Sequence, residues 1–450
     1  MKIRLDIPLL LSEIAAGVNG ELIDNDAVIS CICTDSREVS RGDLFIALSG
    51  DKNDGNRFAG EVKARGGYVL GSNLASILAN DTDDAILRLA SLYQHRLTGL
   101  EHTVAITGSV GKTTTKELTA RILSGTYKVH SSFGNFNNSL GLLHTVLSAG
   151  RDTSLLVLEM GMNHKGEISR LSRAAEPDVA VITNVGSAHI GNFGSKEAIA
   201  SAKLEILDGL STDNLIIPHG EPLLNKCGRF RTASVDSDKG DCSLFIRSTD
   251  ASCTAFGFYG KNITLENERV ALRGAHLMTA LALALSVADV LGVPGCDIRE
   301  ALRSVSQADF RQQRFNIGRY KIYDDTYSSS PEAAIAVMRA LAQENAGGVS
   351  AVLGDMLELG EFSAELHRKV GAAATGCGIR RLYLFGEFAG EIARGASDAG
   401  MPQSDIFINE TIDDLETTAR QIAGSYEGDV LLVKASHAMH AERLYDYLKE

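Results

Sequence analysis

The stretch Thr107–Glu117, TGSVGKTTTKE, puts a lysine and three threonines directly behind a glycine-rich turn. Backbone NH groups exposed by such a turn, aimed together with the N-terminus of the next helix, cradle a polyphosphate. Gly108, Ser109, Val110 and Gly111 would form the turn, Lys112 would supply a compact positive charge, and Thr113 a hydroxyl for Mg²⁺, with Thr114 beside it. The longer spacing GxxxxGK[ST] is not met, because Ile106 stands where it requires glycine. The setting is nevertheless right: the apolar run TVAIT feeds the turn and the amphipathic KELTARIL leaves it. A glycine turn capping an ordinary helix is the bland alternative, and it does not ask for Gly-Lys-Thr-Thr after a buried strand. The loop by itself fits kinases, GTPases and ligases alike.

A carboxylate and a histidine stand further on. Glu159 ends the apolar run LLVLE, and ligands of open α/β sheets gather at the carboxyl ends of strands. Glu159 would therefore face the crevice of the phosphate loop and could hold Mg²⁺ opposite Thr113. Asn184 ends the run VAVITN, His189 follows in a loop, and Lys203 sits next to Glu205 in a helical pattern of small residues. Taken singly, each also reads as an ordinary strand-end, loop or helix-surface residue.

These side chains need a framework. HTVAITG, TSLLVLEMG and DVAVITNVG are apolar runs that end in glycine or a polar residue and lead into helical patterns. Strands apolar on both faces imply a parallel sheet covered by helices. From about Arg314 onward KIYDD, VSAVLGD, RRLYLFG and DVLLVKAS read as strands, and PEAAIAVMRALAQ and SAELHRKVGAAA as helices. Ser330 is the expected cap of the first of these helices, with Pro331 at its first position. Residues 214–273, rich in Thr, Phe and Ser, read as added strands of unassigned order. The first hundred residues form a smaller mixed block that ends near Leu97–Glu101.

The chain has 450 residues, 44% of them hydrophobic, enough for two to four domains each with a core. A net charge of -13 offers no footprint for nucleic acid or an anionic membrane, so an anionic nucleotide has to be held locally. No apolar run reaches bilayer length, and MKIRLDIPLLLSEIAAG interleaves acidic residues where a signal peptide has an apolar block; a cytoplasmic protein without membrane insertion is expected. The seven cysteines are scattered and odd in number, against a disulfide framework or a zinc site.

In combination these stretches resemble the Mur ligases of peptidoglycan synthesis, almost end to end. TGSVGKTTTKE is similar to that family's ATP loop, GNFNN (Gly134–Asn138) to the loop that follows it, and AHIGNFGSKEAIASAKLEI to its metal and lysine segment. VLGDMLELGEFSAELHRKVG (352–371) resembles the branch that adds D-alanyl-D-alanine, and CTDSREVSRGDLFIALSGDKNDGNRF, from Cys33, the uridine-nucleotide part. The resemblance implies three α/β domains: a small mixed N-terminal domain for the uridine nucleotide (1–99), a central parallel-sheet, P-loop-like ATPase domain (100–312), and a C-terminal Rossmann-like domain for the amine and closure (313–450). It implies ATP and Mg²⁺ as cofactors, a UDP-muramoyl peptide and D-alanyl-D-alanine as substrates, and a monomer.

The resemblance also implies roles. Lys112, His189 and Lys203 are the catalytic group. Thr113 and Glu159 hold one Mg²⁺ and His189 helps hold a second, with Lys203 as the lysine these enzymes carry as a carbamate. A neutral lysine that captures CO₂ becomes an anion that can serve a metal, where the ammonium would repel it. Besides the loop, Asn184, His276, Arg314 and Asp325 fall to ATP. Asp35, Ser36, Arg37, Asn137, Asn138, Tyr327, Lys434 and Ser436 fall to the other substrates. The implied reaction passes the γ-phosphoryl group to a carboxylate, and the amine then displaces phosphate from the acyl phosphate. Three departures stand out: Ser328-Ser329-Ser330-Pro331 where the branch has Asn-Ala-Asn-Pro, Leu277 and Ala280 where asparagines are usual, and Ala435 and His437 where Gly and Arg are common. They leave open a relative that joins another amine or acyl donor, or a non-catalytic nucleotide-gated subunit.

Overall fold

Each block of the sequence builds its own main sheet, of six, nine and six strands, and a two-stranded ladder, Ser49–Gly50 with Asn53–Asp54, adds to the first block. The computed structural model describes residues 1–50, 53–224, 228, 230–250, 252–306, 313–327, 329–345, 347–409, 415–426 and 430–449. Ser328, the 312/313 boundary, Cys227, Asp429 of the last predicted strand, and Asp51 and Lys52 of the uridine-nucleotide stretch involve residues outside that set.

In the N-terminal sheet Lys2–Leu10 pairs antiparallel with Val28–Cys33, and the parallel strands Leu44–Ile46, Tyr68–Gly71 and Ile77–Leu78 follow. The helix Thr82–Arg96 closes this domain, capped by Asp81, whose carboxylate accepts from the Asp84 NH.

The central sheet carries the phosphate loop. Its strands run in the order 129–131, 155–159, 102–107, 179–182, 215–218, 231–235 and 242–249, all parallel. Thr254–Tyr259 and Thr264–Val270 then add antiparallel at the edge. The order left open for 214–273 is thus three parallel strands followed by an antiparallel meander. Successive residues of the inner strands serve opposite faces: Val104, Ile106, Val157 and Val181 pack in one core, Ala105, Leu156, Leu158 and Ala180 in the other. This burial on both faces is why these runs are continuously apolar.

In the C-terminal sheet Tyr320–Asp325, Val430–Lys434, Val349–Leu353, Leu382–Phe385 and Ile406–Asn409 are parallel neighbours, and Gln313–Ile317 adds antiparallel to Tyr320–Asp325. The four predicted strands and both predicted helices are present here, and Ser330 caps Pro331–Glu344 through the Ala333 NH. Sequence reading had not picked out Gln313–Ile317, Ile406–Asn409 or the helices Ala389–Asp398 and Leu415–Ser425. Among the described residues no helix is long and apolar enough to cross a membrane, and the six described cysteines are free thiols.

Candidate active site

The phosphate loop turns on two glycines. Gly108 has φ +151° and lies so close to Thr183 that an added Cβ would stand 1.8 Å from its Oγ1; Gly111, at φ +83°, caps the helix Lys112–Leu123. Only glycine fits the first position, and the second is in the left-handed region that glycine enters without strain. The neighbouring strand end holds the loop in shape. Asn184 Oδ1 accepts from the Ser109 and Val110 NH groups at 3.1 and 3.0 Å, and its Nδ2 donates to the Val110 carbonyl at 3.0 Å. Thr183 Oγ1 donates to the same carbonyl at 2.6 Å, and the Gly186 NH donates to Ser109 Oγ at 2.8 Å. Asn184, expected to touch ATP, thus binds the backbone of the loop itself.

Lys112 Nζ donates to the Gly108 carbonyl at 2.8 Å, arched over the loop's entrance. Thr113 Oγ1 donates to Glu159 Oε2 at 2.8 Å, and Asn137 Nδ2 to Glu159 Oε1 at 3.0 Å. Glu159 is only 4% exposed, and among the described residues it makes no ion pair. A buried carboxylate without a cation is costly, and a hydroxyl and a carboxylate oxygen side by side suit a hard divalent cation. No cluster of three His, Cys, Asp or Glu side chains occurs among the described residues.

Lys203 lies on the helix Lys196–Leu204, 2% exposed and without a hydrogen-bond or ion-pair partner among the described residues. Burial, with the Lys112 charge adding to it, pulls its ammonium well below the ordinary lysine range. His189 stands at φ +62° and its Nδ1 meets the Glu358 carboxylate of the C-terminal domain. Burial lowers the His189 imidazole, Glu358 opposes that, and the Lys112 and Lys203 charges reinforce it. Lys112, His189 and Lys203 are therefore one electrostatic group, as their spacing in the sequence does not reveal.

Between the central and C-terminal domains lies a cleft of about 790 Å³. Ser109 through Thr114, Asn137, Glu159, Asn184 and His189 line it from the central side. From the other side come Asp325, Tyr327, Lys434 and Ser436. Lys434 is buried and bonds Asp325 Oδ2 at 2.8 Å, and the Tyr327 ring lies 5.4 Å from that of His437. Ser436 Oγ accepts from the Leu357 NH at 2.9 Å. His276, its pKa lowered by burial, lines the cleft along with the apolar Ala280, Leu283, Ala333 and Val337, residue types suited to a flat heterocycle.

Five predicted residues lie elsewhere. Arg314 is drawn off by Glu344 at 2.7 Å and lies over the Tyr323 ring. Asp35 and Arg37 pair with each other at 2.6 Å in the N-terminal domain, next to the buried Ser36. Asn138 caps the helix Ser139–Leu147 by accepting from the Gly141 NH. Gly108 and Lys203 do not themselves line the cleft. Asn135, His219, Glu221, Glu358 and His437 line the cleft and were not selected from sequence. For His219 and Glu221 the signal was there: they follow the strand Leu215–Pro218, at the same carboxyl end as the phosphate loop.

A glycine-rich phosphate loop on a parallel sheet, opening into a cleft shared with a Rossmann-like domain, suits a ligase that activates its substrate with ATP. The family model of the Mur ligase middle domain matches residues 106–288, and that of the Mur ligase glutamate ligase domain residues 310–437. The chain belongs to the Mur ligase family. Within it, the UDP-N-acetylmuramoyl-tripeptide--D-alanyl-D-alanine ligase of Bacillus subtilis is 34% identical over 98% of this chain and 98% of its own. The Escherichia coli enzyme of the same name is 30% identical over 99% of both. Among solved structures, MurF from Acinetobacter baumannii matches with a TM-score of 0.87 and 26% identity over 100% of both chains. MurF ligase from Thermotoga maritima in complex with ADP matches with 0.77 and 29% over 93% of this chain and 96% of that one.

Proposed function

We propose that this chain joins D-alanyl-D-alanine to UDP-N-acetylmuramoyl-tripeptide in peptidoglycan precursor synthesis, using ATP and releasing ADP and phosphate. The observation that carries the chemistry is that Lys112, Thr113 and Glu159 line one cleft, with the Thr113 hydroxyl on the Glu159 carboxylate and the buried Lys203 near enough for the Lys112 charge to act on it. Identity at full length to ligases of that name carries the substrates.

A carboxylate resists attack by an amine because oxide would have to leave. An oxygen of the acceptor's carboxylate attacks the γ-phosphorus and ADP departs, leaving an acyl phosphate. The dipeptide nitrogen then attacks the carbonyl carbon, gives up a proton, and phosphate leaves with that carboxylate oxygen. No protein nucleophile is used. Lys112 and the loop NH groups stabilise charge building on the phosphoryl oxygens. Asn184 and Thr183 keep those NH groups aimed, so they need no rearrangement when charge develops. Thr113 and Glu159 would hold Mg²⁺, which when bound neutralises charge on the β- and γ-phosphates. Lys203, whose ammonium is disfavoured by burial and by the Lys112 charge, would be the residue to capture CO₂, and as a carbamate it would hold a second cation together with His189.

The domain limits follow the same reading: 1–99 for the uridine nucleotide, with Asp35, Ser36 and Arg37; 100–312 for ATP; 313–450 for the amine, with Tyr327, Lys434 and Ser436. Domain closure shields the acyl phosphate from water. A monomer and a cytoplasmic setting belong to the same reading, whose substrates are water-soluble small molecules. Phosphate release from ATP, followed with each partner alone and with both, tests the assignment. Release only with the tripeptide acceptor and D-alanyl-D-alanine together is expected. Release with a different amine or acceptor and none with this pair would instead favour the altered substrate to which Ala280 and His437, both in the cleft wall, could belong.

A further inference from the structure

Glu332 is the second residue of the helix Pro331–Glu344, which begins immediately after the cleft-lining Ser329 and Ser330. An acid in a first helical turn is common and needs no further explanation where it serves only its own helix. Here the cap is already supplied by Ser330, and the Glu332 carboxylate crosses into the central domain. Its Oε1 accepts from the Ser187 NH at 3.0 Å, from Ser187 Oγ at 2.8 Å and from Lys196 Nζ at 3.1 Å. Its Oε2 is buried and without a protein partner among the described residues.

The two residues it holds are not arbitrary ones. Ser187 follows Gly186, whose NH bonds Ser109 Oγ of the phosphate loop. Lys196 opens the helix that carries Lys203. A Cβ on Gly186 would stand 3.1 Å from Ser109 Cβ and 3.2 Å from Glu332 Oε2, so loop, strand end and carboxylate are in van der Waals contact around this glycine. We infer that Glu332 is a positioning residue that docks the C-terminal domain on the wall of the phosphate loop and on the Lys203 helix, setting the amine's domain in register with the γ-phosphate. A second contact between the same domains, the Gly191 NH to the Glu358 carbonyl at 3.1 Å, makes no bond to Glu332 itself and gives a further readout of docking. The amine arm of the test rests on the proposed function; the docking arm does not.

The experiment compares the full-length chain with E332Q, S187A and the double variant. Hydrogen–deuterium exchange is read over 185–194 with ADP bound, ADP affinity by calorimetry, and steady-state kinetics with each substrate varied. In E332Q the Ser187 and Gly191 amides are both expected to lose protection, with ADP affinity within about twofold of the parent. The kcat/KM for the amine is expected to fall on the order of tenfold, the scale of a lost hydrogen bond to a charged group. S187A should fall in the same direction, and the double variant little further than E332Q. Unchanged exchange at Gly191 would overturn the inference, as would loss of ADP affinity in step with turnover. A parent that does not use D-alanyl-D-alanine would count against the substrate assignment, while the exchange data would still decide the docking role.

Discussion

The two walls of the cleft are built on different terms. The central wall is bound to itself: Asn184, Thr183 and Gly186 hold the phosphate loop, and Asn137 and Thr113 hold Glu159, all within one domain. On the C-terminal wall the buried Lys434 is tied to Asp325. This wall meets the other through Glu332 and Glu358. Preorganisation therefore belongs to the side that handles phosphate, where charge develops. The C-terminal side, to which the amine is assigned in the proposed function, carries the departures from the family at Ser328–Ser330 and His437, while Ala280 stands on the central side.

Breaking the central wall should cost most. Lys112→Met removes the cation over the loop, and turnover is expected to fall on the order of a thousandfold, with the fold retained by circular dichroism. A loss under tenfold would mean the loop's NH groups suffice. Lys203→Ala should lower turnover strongly while leaving ADP affinity near that of the parent. The parent's activity, but not the variant's, should fall when CO₂ is stripped from the buffer.

On the opposite wall, Asp325→Ala leaves Lys434 buried without its carboxylate, and a stability loss of about 3 kcal/mol in denaturant unfolding is expected. A smaller effect is predicted for acid. His367 is buried, its Nε2 accepts from the Met356 NH at 2.9 Å, and burial lowers its pKa from the ordinary 6.5. The unfolded chain binds a proton there first, so this contribution is intact above about pH 6.5 and is lost as pH falls below it. His367→Gln should flatten that limb of the stability profile. Ala280→Asn, which restores an amide to the cleft, should shift the KM for ATP by less than about tenfold and leave the amine's KM alone.

What the sequence discloses follows the same division. The phosphate loop, Glu159 and the strands beneath them are legible because backbone geometry and burial on both faces impose residue types at fixed spacing. Asn184 was found for its position at a strand end, but its partners are backbone atoms 74 and 75 residues away, which no local pattern encodes. Arg314 does not line the cleft, and its pairing with Glu344 on the next helix is likewise not written in any local pattern. Glu358 and Glu332 act across domains, 169 and 145 residues from their partners. The segment 352–371 was recognised as a signature, yet much of it is scaffold. Asp355 accepts from the Glu387 and Phe388 NH groups, and His367 fixes Met356. Gln313–Ile317 escaped notice because its partner begins only three residues on, after a turn at Gly318 with φ +54°.

The central claim is that the γ-phosphoryl group passes through the acceptor's carboxylate. Supplying UDP-N-acetylmuramoyl-tripeptide with ¹⁸O in its terminal carboxylate, together with ATP and D-alanyl-D-alanine, tests it most directly. One labelled oxygen in each phosphate released, matched to amide formed, is the predicted result. Unlabelled phosphate accompanying full amide yield would contradict it.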